Sequence, residues 1–190
     1  HGHMCAECIS WMIPPDQEVE LIMTPWLGHP AGIKAEGFIT IPKDHGVQIV
    51  NNSWGIPVTH DSLIDRMLAS QYQDPKFLEY ARIHTAGMKF FWASGNFDRS
   101  TDTRANLSND VSYPQKALAK LPGQWLVAAC DVGGTPSNFS SDGSQVSTTY
   151  FGEGVRVMDP DTGNDTFVNG TSFASPFACG DYAAESLSRG

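Results

Sequence analysis

The octet Asn169-Gly170-Thr171-Ser172-Phe173-Ala174-Ser175-Pro176 constrains this chain more than any other stretch. It sets a serine between a glycine turn and a run of small residues that opens a helix. Gly170 allows a sharp turn and lets a substrate carbonyl approach the backbone. Ser172 is expected at the helix N-terminus, where unpaired N–H groups point at any negative charge that develops beside it. Ala174 and Ser175 keep the start of the helix thin enough to pack closely. Pro176 is expected in the first turn, where a missing N–H costs nothing. The plain alternative is a loop leading into an N-capped helix, with Ser172 as the cap.

A serine alone is a weak nucleophile and needs a base. The octet resembles the Gly-Thr-Ser-x-Ala-x-Pro nucleophile motif of the subtilisin-like serine peptidases, the subtilases. The opening His1-Gly2-His3-Met4-Cys5-Ala6 resembles their His-Gly-Thr-x-x-Ala segment, which carries the general base. His1, Gly2 and Ala6 match, and His3 replaces the usual threonine. The same opening letters also read as a cloning remnant, which would carry no function. Beyond them, Cys5 to Ile9 continues as a helix of small residues. Pro14-Pro15-Asp16 then leads into Val19 to Met23, which resembles the family's next strand and predicts a strand over 19–24.

Between these ends lies Phe90-Phe91-Trp92-Ala93-Ser94-Gly95-Asn96. The apolar run reads as a buried parallel strand. Asn96 after glycine is by itself a turn residue. It also resembles the subtilase asparagine whose amide donates to the oxyanion, a role that needs a fixed donor in a dry cleft. Val47 to Asn52 is a strand running into Ser53-Trp54-Gly55, which resembles the segment whose backbone pairs with extended substrate. The resemblance places Ala93, Ser94 and Gly95 along the same cleft, with Trp54, Ala93 and Gly95 flanking the pocket for the residue before the cut. Asn138 to Gly143 and Gly154 to Pro160 resemble two further family segments, and the likeness extends over essentially all 190 residues.

The family's triad runs Asp, His, Ser along the chain. The Asp-Ser/Thr-Gly segment that would precede His1 is not in this sequence. Asp161-Thr162-Gly163 has those letters but reads, after Pro160, as a turn. The expectation is therefore a partial catalytic domain over residues 1–190, truncated at both ends. As a serine endopeptidase it would use Ser172 as nucleophile, His1 as base and Asn96 as oxyanion donor, with the Asp missing from this chain. The alternative is a catalytically inert, subtilase-like module that binds peptides.

The expected fold class is α/β, with a mostly parallel sheet and helices on both faces. Strands are expected near 47–52, 88–93, 125–130 and 155–158, and helices from about Gly2, over 62–71, over 74–86 and from about Ser172. A net charge of −9 without a basic run argues against nucleic acid. No run of 18 apolar residues exists, so no membrane helix is expected. The partner expected is a peptide or protein substrate, and oligomeric state is left open. The four cysteines, Cys5, Cys8, Cys130 and Cys179, read first as buried thiols; a disulfide or a metal site built on Cys5-x-x-Cys8 stays open. Asn106-Leu107-Ser108 and Asn138-Phe139-Ser140 fit the glycosylation sequon. The resemblance implies a secreted or extracytoplasmic protein, and the sequence itself leaves the compartment open. No cofactor and no metal ligand is assigned; calcium is frequent in the family, but its ligands do not map onto these residues.

Overall fold

The computed structural model describes residues 1–23, 37–55, 67, 70–97, 114–141 and 143–189. Its frame is a four-stranded sheet of β1 (Ile49–Asn52), β2 (Lys89–Ala93), β3 (Gln124–Cys130) and β4 (Thr148–Phe151). The strands lie in that order and every neighbouring pair is parallel. Apolar residues therefore occupy both faces of the central strands, since a parallel sheet is covered on both sides. Phe90 and Trp92 face one way, into a cluster with Phe38, Val50, Phe77 and Leu118. Phe91 faces the other way, with Val127, Ala129, Ala174 and Ala178.

Helices supply the covers. α2 (Gly37–Asp44), α3 (Pro75–His84) and the short α4 (Gln115–Leu118) carry the first cluster. α3 starts where its letters direct: Asp74 caps it, its carboxylate accepting from Lys76 N–H at 2.8 Å, and Pro75 takes the first helical position. α5 (Thr171–Ser188) crosses all four strands on the opposite face, and α1 (Gly2–Met12) lies on α5. The expected α/β fold with a parallel sheet covered on both faces is thus the observed one.

The crossing of α1 and α5 depends on Gly180. A Cβ there would sit 2.7 Å from the carbonyl oxygen of Ile9 and 2.8 Å from Cβ of Met12. Gly180→Ala should therefore destabilise the fold by about 1–3 kcal/mol. At an unhindered helix position the same change would stabilise by up to about 1 kcal/mol. Urea titration of the two proteins reads the sign, and a stabilised variant would contradict the close crossing.

Several expectations are corrected. No strand forms over residues 19–23, where Val19, Leu21, Ile22 and Met23 stay exposed. Among the described residues no strand lies on the free side of β1 to pair with, and apolar letters alone do not hold a strand. The strand at 155–158 forms, as β5 (Val155–Met158), but it leaves the main sheet. It pairs antiparallel with β6 (Asp165–Val168), a strand not expected at all. β4 and α2 were also unforeseen. Most of the helix expected at 62–71 and the sequon at Asn106 fall outside the described residues.

Pro176 is not in the first turn. Gly170 is the N-cap, so the helix begins at Thr171 and Pro176 is its sixth residue. For the same reason Ser172 is not the cap but the second helical residue. Cys5, Cys8, Cys130 and Cys179 are all free and buried. Burial pushes the thiols up, Cys8 and Cys179 to about 12, so both stay protonated at neutral pH. Among the described residues no helix is long and apolar enough to cross a membrane.

Candidate active site

The ends of the parallel strands converge on the start of α5. Ser53 follows β1, Gly95 and Asn96 follow β2, and Gly152 follows β4. Clefts at the carboxyl ends of parallel strands are where such sheets bind ligands.

Gly152 docks the turn that carries Ser172. Its N–H donates to Cys130 O at 3.0 Å, and its carbonyl accepts from Gly170 N–H at 2.8 Å. A Cβ on Gly152 would lie 2.8 Å from both Ala129 Cβ and Gly170 O, so only glycine lets the two segments meet. Gly170 itself has φ 157 and ψ 150, a region open essentially to glycine alone.

An α-helix leaves its first four N–H groups without partners in its own ladder. Here Gly170 N–H goes to Gly152 O, and Phe173 N–H turns back to Gly170 O at 3.0 Å. Thr171 N–H goes to Asn96 Oδ1 at 2.9 Å. Ser172 N–H is the one of the four with no partner among the described residues. It is left pointing at whatever sits in front of the helix.

Asn96 is held by its oxygen. Oδ1 also accepts from Thr171 Oγ1 at 3.0 Å, and that hydroxyl accepts from Gly95 N–H at 3.1 Å. With Oδ1 taken twice, the amide cannot turn over, and its Nδ2 faces the Gly170 turn, 3.4 Å from where a Cβ of Gly170 would stand. Thr171 is thus part of the site, a role its place in the octet did not reveal.

Ser172 is half-buried, and its hydroxyl donates to Ser53 O at 3.4 Å. His1 is the N-cap of α1. Its ring lies 5.6 Å from that of Phe173, the residue next to Ser172. Packing of α1 on α5 brings it there, helped by Glu7, whose carboxylate accepts from Met158 N–H at 2.9 Å. His1 Nδ1 lies 3.8 Å from Cys5 Sγ. Among the described residues no carboxylate bonds His1. Asp161 stands far from it in chain terms, in the β5–β6 turn. There Asp159 Oδ1 accepts from Asp161 and Thr162 N–H at 2.8 and 3.2 Å, and Gly163 takes φ 71.

The expected cleft residues divide. Gly55 is exposed and Gly95, with φ 115, is half-buried. Ala93 and Ser94 are buried, and Ser94 Oγ donates inward to Ser141 O at 3.0 Å. The Trp54 ring packs edge-on against Phe38 and Trp92, at 5.9 and 5.5 Å, with Nε1 donating to Asn52 Oδ1 at 3.0 Å. Buried Gln115 joins the two rims: its Nε2 donates to Trp54 O at 2.6 Å and to Ala93 O at 3.0 Å. Among the described residues no three His, Cys, Asp or Glu side chains gather as a metal site.

The sequence model of the subtilase family matches residues 28–187. Ser53, Asn96 and Ser172 lie inside that span and His1 outside it. No curated protein matches the chain. Among solved structures, a lanthipeptide protease is 20% identical with a TM-score of 0.66, the match covering 99% of this chain and 62% of that one. The PatG macrocyclase in complex with peptide is 19% identical with a TM-score of 0.60, over 93% of this chain and 51% of that one. The self-cleaved protease domain of PatA is 24% identical with a TM-score of 0.57, over 84% of this chain and 53% of that one. At these identities the likeness concerns the fold. The chain spans between about half and two thirds of the length of these structures.

Proposed function

The chain belongs to the subtilase family, and from that premise we propose that it forms the nucleophile and oxyanion half of a serine endopeptidase. Ser172 Oγ attacks the peptide carbonyl and its proton passes to His1. The carbonyl π pair moves onto oxygen, and Asn96 Nδ2 and Ser172 N–H receive that oxyanion. Collapse expels the amine, which takes the proton from His1 and leaves an acyl group on Ser172. Water then repeats the sequence and frees the acid.

The observation that carries this reading is the hydrogen-bond census at the start of α5. Among the described residues three of the four open N–H groups are closed by the protein, and the remaining one belongs to Ser172 itself. An oxyanion hole requires such an open donor on the nucleophile's own residue. The clamped Asn96 amide stands beside the same turn.

The substrate proposed is an extended peptide laid against the backbone of Ser53, Trp54 and Gly55 on one rim and Gly95 on the other. Ser94 is fully buried, its N–H given to Val127 O and its hydroxyl to Ser141 O, so it supports this rim from behind and does not touch the peptide. The Trp54 ring borders the core, so the pocket before the cut is expected to take an apolar side chain.

An activated peptide ester tests the reading in the full protein. Acyl-enzyme chemistry predicts a burst of leaving group equal to one per chain, then slower turnover. Peptide binding without any burst would overturn the reading and favour the inert peptide-binding module.

A further inference from the structure

Because Pro176 is the sixth residue of α5, its missing N–H has a consequence. An amide at that position would donate to the carbonyl of Ser172, four residues earlier. Proline has no proton to give. The carbonyl on the nucleophile's own residue is therefore open within the helix, and it is filled from outside. Ser53 Oγ donates to it at 2.6 Å and Cys5 Sγ at 3.4 Å.

The hydroxyl of Ser53 has one proton, and Ser172 O takes it. Ser53 Oγ can then only accept, and Asn51 Nδ2 donates to it at 2.9 Å. That fixes the Asn51 amide, whose Oδ1 accepts from Ser175 Oγ at 2.8 Å. Ser175 is fully buried and lies one helical turn past Ser172. The bonds form a closed loop, from α5 through the end of β1 and back to α5. Each donor direction is set by the next.

We propose that Asn51, Ser53 and Ser175 are positioning residues that hold the Ser172–Phe173 peptide, and with it Ser172 Oγ, in its attacking place. The proposal rests on the reading of Ser172 as nucleophile. Misplacing a reacting atom by about 1 Å costs on the order of 10² in rate, so a tether of this kind acts on kcat.

Asn51→Asp separates positioning from space-filling. It has the shape of the original, still accepts from Ser175, but cannot donate to Ser53. Its carboxylate instead draws the Ser53 proton away from Ser172 O. With a peptide anilide substrate and the full protein, Asn51→Asp and Asn51→Ala should each lower kcat by about 10- to 100-fold with KM within about twofold. Adding Ser175→Ala to Asn51→Ala should cost little more, since members of one chain of bonds are not additive. Full activity in Asn51→Asp would overturn the proposal, because shape alone would then suffice.

A second measurement is independent of catalysis. Phe173 N–H belongs to the tethered peptide. Its hydrogen exchange should quicken by about tenfold in Asn51→Asp, with exchange in β3 unchanged. Unchanged exchange at Phe173 would overturn the tether even where the parent protein is inert. An inert parent with quickened Phe173 exchange in the variant would instead fault the peptidase reading alone.

Discussion

Replacing Ser172 with alanine should lower kcat by about 10⁶, the size of loss recorded when the nucleophilic serine of a subtilisin is removed. The neighbouring hydroxyl, Thr171 Oγ1, offers the acyl group no second place, since it donates to Asn96 Oδ1 and accepts from Gly95 N–H. Folding should barely change. Ser172 is half-buried and its hydroxyl makes one long bond, 3.4 Å to Ser53 O, worth no more than about 1 kcal/mol. Full activity in the variant would move the nucleophile elsewhere. A collapse in stability would instead make the serine structural.

Asn96 should show the second-largest effect. Asn96→Ala should lower kcat by about 10²–10³ with KM little changed, because the donor is used only once the oxyanion forms. That magnitude, too, is the one found for a subtilisin. The alanine also frees Thr171, whose N–H and Oγ both donate to Asn96 Oδ1. Asn96→Asp separates the two roles. It keeps an acceptor for Thr171 but removes the amide donor and adds a negative charge beside the oxyanion. It should be no more active than the alanine variant, yet closer to the parent in urea stability. Normal kcat in either variant would leave Asn96 as a plain turn residue that happens to anchor the helix.

The parts of the fold that could be read in advance share one property: their signal is local. After their first residues, Lys89 and Gln124, β2 and β3 are unbroken apolar runs, and α3 announces itself with Asp74-Pro75. β4 begins with two threonines and is only partly buried, so it lacks such a run. β6 exists because β5 is there to pair with it. The failed strand at 19–23 is the converse case. Its residues have the right letters, but a strand needs a neighbour, and none lies there among the described residues.

The site divides in the same way. The octet marked Ser172 because a nucleophile turn compresses its chemistry into eight adjacent residues. Thr171 as a clamp, Gly152 as a dock and Gln115 as a bridge act on residues distant in the chain, and no local pattern encodes them. Pro176 shows how a small boundary error changes the chemistry. Placed in the first turn, its missing N–H is harmless. Placed sixth, as it is, it opens the carbonyl that Ser53 fills.

Mass-spectrometric mapping of a fluorophosphonate adduct tests the central claim most directly. The full protein should carry one adduct per chain, on Ser172, and Ser172→Ala should carry none. An adduct on any other residue, or labelling that survives in Ser172→Ala, would contradict the assignment of Ser172 as the nucleophile.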